Sequence, residues 1–286
     1  MGIFKKEAKV LEPQYYLSAT NIPTYNYKVY YMKPIEKVLY FLLAFAVGAG
    51  VGFLFYGGIG KDEFGQPTVL TYVLNTLIPT AVGTAAGIFF LPIRTEQIIK
   101  KKKGLLKLQF RDMLESLTTS LGAGKNVSDS FKSVYDDLKV QYEEDAYIIK
   151  ELEIVLTGMN NNIDIEDILE DLGKRSGIGD IVSFANVFRI CYRKGGNIKD
   201  TIRSTHEILS DKMEIAEDIE TVVTGSKNEQ NIMIVMPVLL IGVIKMMGED
   251  FASNFATPAG IISTTIAIAM FVASYFVGKA VLNIKV

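Results

Sequence analysis

Four apolar stretches without a single Asp, Glu, Lys, Arg or His bracket one long charged block. They run over about residues 38–60, 68–93, 231–244 and 260–278. A helix needs about 20 apolar residues to cross a bilayer, so each stretch is long enough, or nearly so, to span one. The third is the shortest, about 14 residues before Lys245, with Pro237 inside it. Lys245 can reach back to the interface along its aliphatic stem, which lengthens the usable span through Met247. Proline is tolerated inside a span when neighbours satisfy the freed carbonyl. The pattern predicts an all-α integral membrane protein with about four transmembrane helices. Residues 94–230 between the two pairs are polar enough to form a water-soluble domain.

Charge sets the expected orientation, because Lys and Arg beside spans mark the cytosolic side. Residues 1–37 carry six Lys against three Glu, a net of +3. Arg94 and the run Lys100, Lys101, Lys102 and Lys103 follow the second stretch, and Lys279 and Lys285 follow the last. The two short connectors hold Lys61 with Asp62 and Glu63, and Glu249 with Asp250. Both termini and the middle block are therefore expected in the cytosol, at the cytoplasmic (inner) membrane. The expected units are 1–37 as a cytosolic or interfacial lead, 38–93 and 231–286 as transmembrane hairpins, and 94–230 as the cytosolic domain. The lead is rich in Tyr, a residue that favours the headgroup layer. It is read as lying on the surface or packing on a partner.

Gly48 with Gly52, and Gly83 with Gly87, place small residues four apart, a spacing that lets helix backbones approach in lipid. The alternative is merely a loose glycine content. No ionisable residue falls mid-span, which argues against a proton-coupled transporter. The Lys100–103 run reads as a topology anchor touching anionic membrane lipid.

The charged block repeats itself. Gly124, Lys125, Asn126, Val127, Ser128, Asp129 recur as Gly195, Gly196, Asn197, Ile198, Lys199, Asp200 at an offset of 71 residues. Such self-similarity suggests two copies of one structural unit. Each copy follows an amphipathic stretch. Phe110, Leu114, Leu117 and Leu121 share one helical face, as do Ile181, Phe184, Phe188 and Cys191. Gly ends the helix by permitting positive φ. Asn126 and Asn197 are placed to cap the next helix, and Asp129 and Asp200 sit in its first turn, where the dipole favours an anion. Between the copies, Leu152, Val155, Leu156 and Met159 form a stripe that Asn160–162 break. Asp164 is placed to cap a short helix through Leu172, and Lys174–Gly177 turn into the next. The block is expected to be a bundle of about six helices in hairpins with no convincing strand. The last of them runs through Ile202, Leu209, Ile219 and Val223 toward the third span.

Several chemistries are excluded. Gly122–Lys125 superficially resembles a phosphate loop, but Thr119 stands where the first Gly is required and no Ser or Thr follows Lys125. There is no dinucleotide turn. One His, His206, and one Cys, Cys191, leave no multi-His or Cys-based metal site and no intrachain disulfide. His206 reads as a structural or surface residue and Cys191 as a small core hydrophobe. No catalytic residue, cofactor or metal is expected. The acidic residues Glu166, Asp167, Glu170 and Asp171 could pair as catalytic carboxylates or hold a cation, but such a run is more often a solvated helix face or a meeting place for a basic partner. Residues 94–230 hold 20 Lys and Arg against 25 Asp and Glu, a net of −5, with the basic share near the membrane. That balance favours a protein partner over nucleic acid.

Paired spans around a helical-hairpin block resemble the F-domain inner-membrane platform proteins of type II secretion, type IV pili and the Flp/Tad pilus. The stretch 110–117 through Gly124, then Arg193, Lys194, Gly195, Gly196, Asn197 and Ile198, carries the resemblance, which extends over about 36–286. It is nearest to the TadB/TadC class, which has one cytosolic domain. The resemblance implies a non-enzymatic subunit that couples a cytosolic secretion ATPase to insertion of pilin into a filament, beside a second platform subunit or another copy of itself. The turn residues Gly124, Asn126, Gly195, Gly196 and Asn197 would hold the hairpins in register. Glu166, Asp167, Glu170, Asp171, Arg193 and Lys194 would be candidates for docking. The alternatives are a membrane-anchored signalling or scaffold protein with a helical docking domain, and a small transporter. The connectors of about a dozen residues offer the first little room for an outer ligand site. Pro79 with Asn75 and Thr76 is the sole hint of the second.

Overall fold

The computed structural model of the chain describes residues 12–60, 66–195, 197–247 and 254–282, with the backbone alone at Tyr16, Lys279 and Leu282. Lys5, Lys6, Glu7, Lys9, Lys61, Asp62, Glu63, Gly196, Glu249, Asp250 and Lys285, used above, lie outside the described residues. In order, the described elements are β1 (Tyr15–Leu17), β2 (Pro23–Tyr25), α1 (Pro34–Tyr56), α2 (Val69–Gly122), α3 (Val127–Gln141), α4 (Tyr147–Asn160), α5 (Ile165–Ser176), α6 (Gly179–Lys194), α7 (Ile198–Met246) and α8 (Pro258–Leu282). The chain is a helical membrane protein. Four of its helices, α1, α2, α7 and α8, are long and apolar enough to cross a bilayer.

The chain divides into two units, Met1–Tyr31 with Thr95–Met213, and Met32–Arg94 with Glu214–Val286. The first contains a continuous apolar core. Phe110, Leu114 and Leu117 of α2 are wholly buried, as are Phe131 and Val134 of α3, Ile148 and Ile149 of α4, and Phe188 of α6. The stripe through Phe110 meets the stripe through Phe184 edge to face, with ring centroids 5.3 Å apart. That geometry suits the positive rim and negative face of aromatic rings. Burial of a Leu- or Phe-sized side chain stabilises by about 1.5–3 kcal/mol, so these stripes dominate the domain's folding energy.

Two expectations about this unit need correction. The helix expected to end at Leu172 runs on to Ser176, where Gly177 (φ 58°) takes the left-handed conformation and stops it. Its inward face continues past Leu172 because Arg175 and Ser176 are fully buried there. Asp164 holds the N-cap position of α5, but its side chain makes no cap hydrogen bond. Its main-chain carbonyl instead accepts from the amide of Asp167 (3.0 Å).

The lead segment folds onto this same unit, and the described fold is not purely helical. β1 and β2 pair antiparallel, Tyr15 opposite Tyr25, around a turn in which Asn21 adopts φ 58°. The Ser18 hydroxyl accepts from the amides of Thr20 and Ile22 (both 3.3 Å) and closes the turn. Tyr25 and Tyr27 set their rings against Tyr147 of α4. Lys102 lies over the rings of Tyr25 and Tyr30 at 5.0 and 4.3 Å, a cation–π contact. The tyrosines that read as headgroup-seeking are thus partly spent on protein packing.

The second unit is built differently. Both small-residue pairs face each other across α1 and α2. A Cβ on Gly48 would sit 2.7 Å from Ala86 Cβ, and one on Gly83 would sit 2.8 Å from the Phe45 carbonyl. Only hydrogen fits there, so the glycines set how closely the helices pack. Thr76, Thr80 and Thr84 donate their hydroxyls to carbonyls one turn back, which hides polar atoms from lipid. Asn75 accepts from the amide of Gly58 (2.9 Å), so the polar residues near Pro79 close a local turn. Lys245 donates to the Gly57 carbonyl (3.1 Å) at the end of α1, consistent with a side chain stretched to the interface.

Candidate functional site

The repeated turns build the first part of the site. At Gly124 φ is +87°, and at Gly195 it is +71°, a conformation that a Cβ disfavours. After the first turn, Asn126 Oδ1 accepts from the amide of Asp129 (2.8 Å), and its Nδ2 donates to the Asp129 carboxylate (2.7 Å). After the second, Asn197 Oδ1 accepts from the amide of Asp200 (3.3 Å), and its Nδ2 donates to the Asp200 carboxylate. The two caps are chemically the same. Each satisfies an orphan amide of a helix start and holds an acid against the positive helix end.

The turns lie together. A Cβ on Gly122, at the end of α2, would stand 3.8 Å from Lys199 Cε at the start of α7. The start of α5 and the end of α6 are likewise joined there, since Arg193 Nε donates to Glu166 Oε1 at 2.9 Å. One end of the domain therefore gathers three helix starts, two helix ends, both turns and most of the docking candidates.

The docking candidates are largely paired, Glu166 with Arg193 and the other acids with cations outside the set. Arg189 bridges Asp167 (2.5 Å) and Glu170, and Lys174 bonds Glu170 at 2.6 Å. The Lys174 hydrogen bond, with the charges of Lys174 and Arg189, holds the Glu170 carboxyl below its usual range. Glu166 is 4% exposed, and Asp171 turns inward to Arg175. Glu166 Oε2 and Arg189 Nε are buried without a hydrogen-bond partner among the described residues. Of the candidates, Arg193 and Lys194 are exposed and Asp167 is half-buried. Exposed pairs of this kind contribute about 0–1 kcal/mol each, so they order the surface more than they stabilise it.

The strongest polar cluster was not anticipated from the sequence. Arg175 is fully buried, and its guanidinium clamps both oxygens of Glu151 on α4, at 2.7 and 2.5 Å. Its Nε donates to Asp171 (2.7 Å), and its Nη1 to the Tyr25 carbonyl (3.3 Å). Tyr27 donates its hydroxyl to Glu151 (2.8 Å) and its amide to the Arg175 carbonyl (3.0 Å). Burial alone would lower the Arg175 pKa, but hydrogen bonding and charge from Glu151 and Asp171 outweigh it and hold it above the ordinary range. Burial first, then the Glu151 charge, pushes the Tyr27 phenol well above its usual value. The cluster fastens the lead hairpin to α4 and α5. It was legible in one respect. Glu151 lies among Ile148, Leu152 and Val155, and Arg175 continues the Ile168, Leu172 face, so two opposite charges occupy core positions.

At the opposite end, Asp180 accepts from Lys107 (3.2 Å) and Lys212 (2.6 Å), tying α2, α6 and α7. Burial would raise the Asp180 pKa, yet its two lysine partners draw it below the usual range. His206 Nδ1 approaches the Arg111 carbonyl (3.3 Å), and Cys191 Sγ meets Thr201 Oγ1 (3.2 Å). Among the described residues no cluster of His, Cys, Asp and Glu is arranged for a metal ion. No family model, curated protein or solved structure matches the chain.

Proposed function

We propose that the protein is a platform subunit of a pilus-assembly or type II secretion-like machine in the cytoplasmic membrane, with both termini and the helical domain in the cytosol. It receives motion from a cytosolic secretion ATPase, and works with a second platform subunit or another copy of itself to move pilin from the bilayer into a filament. It performs no chemistry of its own in this reading. The observation that carries the proposal is the duplicated turn. Two helix–glycine–Asn-capped-helix corners, 71 residues apart in sequence, stand side by side at one end of a domain bracketed by paired spans. A surface built from several helix corners is rigid, which suits the transmission of force from a docked motor. Asp167, half-buried, and Lys194, exposed, would contact the ATPase.

Co-purification from the native membrane tests the reading. The detergent-solubilised protein should bring down a secretion-type ATPase and a second platform subunit, and D167K with K194E should reduce ATPase recovery at least about tenfold with an unchanged melting temperature. Recovery of a sensor kinase or other signalling protein in their place would replace this function with that of a membrane-anchored scaffold.

A further inference from the structure

One groove in the membrane-spanning unit is unlike the rest of its surface. It lies among α1, α7 and α8 and encloses about 780 Å³. Its lining is graded. Ser226, Glu229 and Asn231 stand at one end, near Ser274 and Tyr275 of α8, while Ile234, Phe271 and Val272 belong to the apolar part. The change falls where the charged sequence of α7 gives way to its charge-free run, and so at headgroup depth. Gln230, also in the wall, already donates to the Tyr275 carbonyl (3.1 Å). Glu229 is the charged group of the lining, and no Lys or Arg joins it among the described residues.

Size and charge select the occupant. A 20-residue spanning helix is about 30 Å long and 10–12 Å wide, on the order of 2,400–3,400 Å³, so the groove would take no more than about a third of one. It falls instead within the ~300–1,000 Å³ of sites that enclose small ligands. A carboxylate at the mouth repels an anionic headgroup and attracts a cationic one. We infer that the groove holds the acyl chains of one phospholipid whose headgroup bears an ammonium, as in phosphatidylethanolamine, with that ammonium paired to Glu229. The lipid is then a bound component of the span bundle and not bulk solvent.

Native mass spectrometry of the full chain tests this, after delipidation and exposure to an equimolar mixture of phosphatidylethanolamine and phosphatidylglycerol with identical chains. One phosphatidylethanolamine should be retained per protein, favoured by roughly tenfold. E229Q should erase the preference, E229K should invert it, and V272W, which fills the groove, should release both lipids. Elution volume and melting temperature serve as folding controls. Equal retention of the two lipids by the natural protein, or an unchanged preference in E229Q, overturns the inference. A photo-crosslinking residue at position 272 in native membranes supplies an independent readout. An adduct of lipid mass supports it, and a polypeptide adduct shows that the groove seats a helix and overturns it.

Discussion

Leu114 and Phe89 stand on the same helix and meet opposite fates: Leu114 is wholly buried, while Phe89 is 71% exposed. The same inversion separates the two units. In the helical domain, apolar side chains point inward and charged ones cover the outside. In the spans, Leu77, Phe89, Ile262 and Phe276 point outward, and the closest contacts inside are made by Gly48, Gly83 and Gly87. The difference lies in the solvent each unit answers to. Water drives apolar surface together. Lipid tails are as apolar as Leu, so helices there associate by close packing. Polar groups follow the same division. The domain buries a complete ion-pair cluster, whereas the spans hide threonine hydroxyls on their own backbone.

The most severe way to break this contrast is to strip the domain's buried cluster of one member. E151Q or R175M should destabilise the detergent-solubilised protein by about 3–5 kcal/mol, because an uncompensated buried charge remains. The double variant E151L with R175M should recover most of the loss. Thermal melts followed by circular dichroism decide it, and no recovery in the double variant would mean that the cluster is worth more than an apolar replacement.

In the spans the sensitive positions should be the glycines. G48V places methyl groups where Ala86 Cβ and the Gly83 backbone already stand and should cost about 1–3 kcal/mol. Gly50, with nothing within 4 Å of its added Cβ, should accept Ala within about 0.5 kcal/mol. Equal losses at the two positions in thermal melts of the detergent-solubilised protein would refute close packing as the organising force.

Tyr27 sharpens the comparison by titration. Its phenol pKa is raised in the folded state, so its contribution is fully present below the ordinary value of about 10 and is lost as pH rises through the folded value. Y27F should cost about 1.5 kcal/mol at neutral pH through the lost bond to Glu151. It should also flatten the alkaline loss of stability. A melting temperature that falls between pH 9 and 11 equally in both proteins would assign that loss to other tyrosines.

The smallest effect is expected at Asp180. Its folded pKa is depressed, so its contribution is present above the ordinary carboxylate value of about 4 and disappears as pH falls through the folded one. D180N should cost no more than about 1 kcal/mol at pH 7, and less at high salt, since both lysine partners reach solvent. A loss that is independent of salt would mean that the three helices are tied by something other than charge.

Much of the site was legible because its signals are local. Gly124 with Asn126, and Gly195 with Asn197, announce a left-handed stop and a capped start within a few residues, and the cap geometry needs no distant partner. The ends of α5 were harder. Asp164 has the right side chain for a cap, but the backbone satisfies the helix start without it. The helix outlasts its apolar stripe because Arg175 is held by Glu151, 24 positions earlier, and nothing local marks that pairing. The lead segment was the least legible. Its tyrosines suit headgroups and protein faces equally, and the choice depends on Tyr147, Lys102 and Glu151, all on other elements.

The sequence by itself determined the four membrane-crossing segments and the two glycine corners. Both follow from what single residues cost in lipid or at positive φ, and those costs do not depend on the rest of the chain. The tertiary structure alone decided that the two corners meet at one end, that the candidate docking charges are mostly held in ion pairs, and that an arginine lies at the centre of the domain. Each of these is a contact between residues far apart in the chain, and its energy exists only once packing has excluded water from both partners.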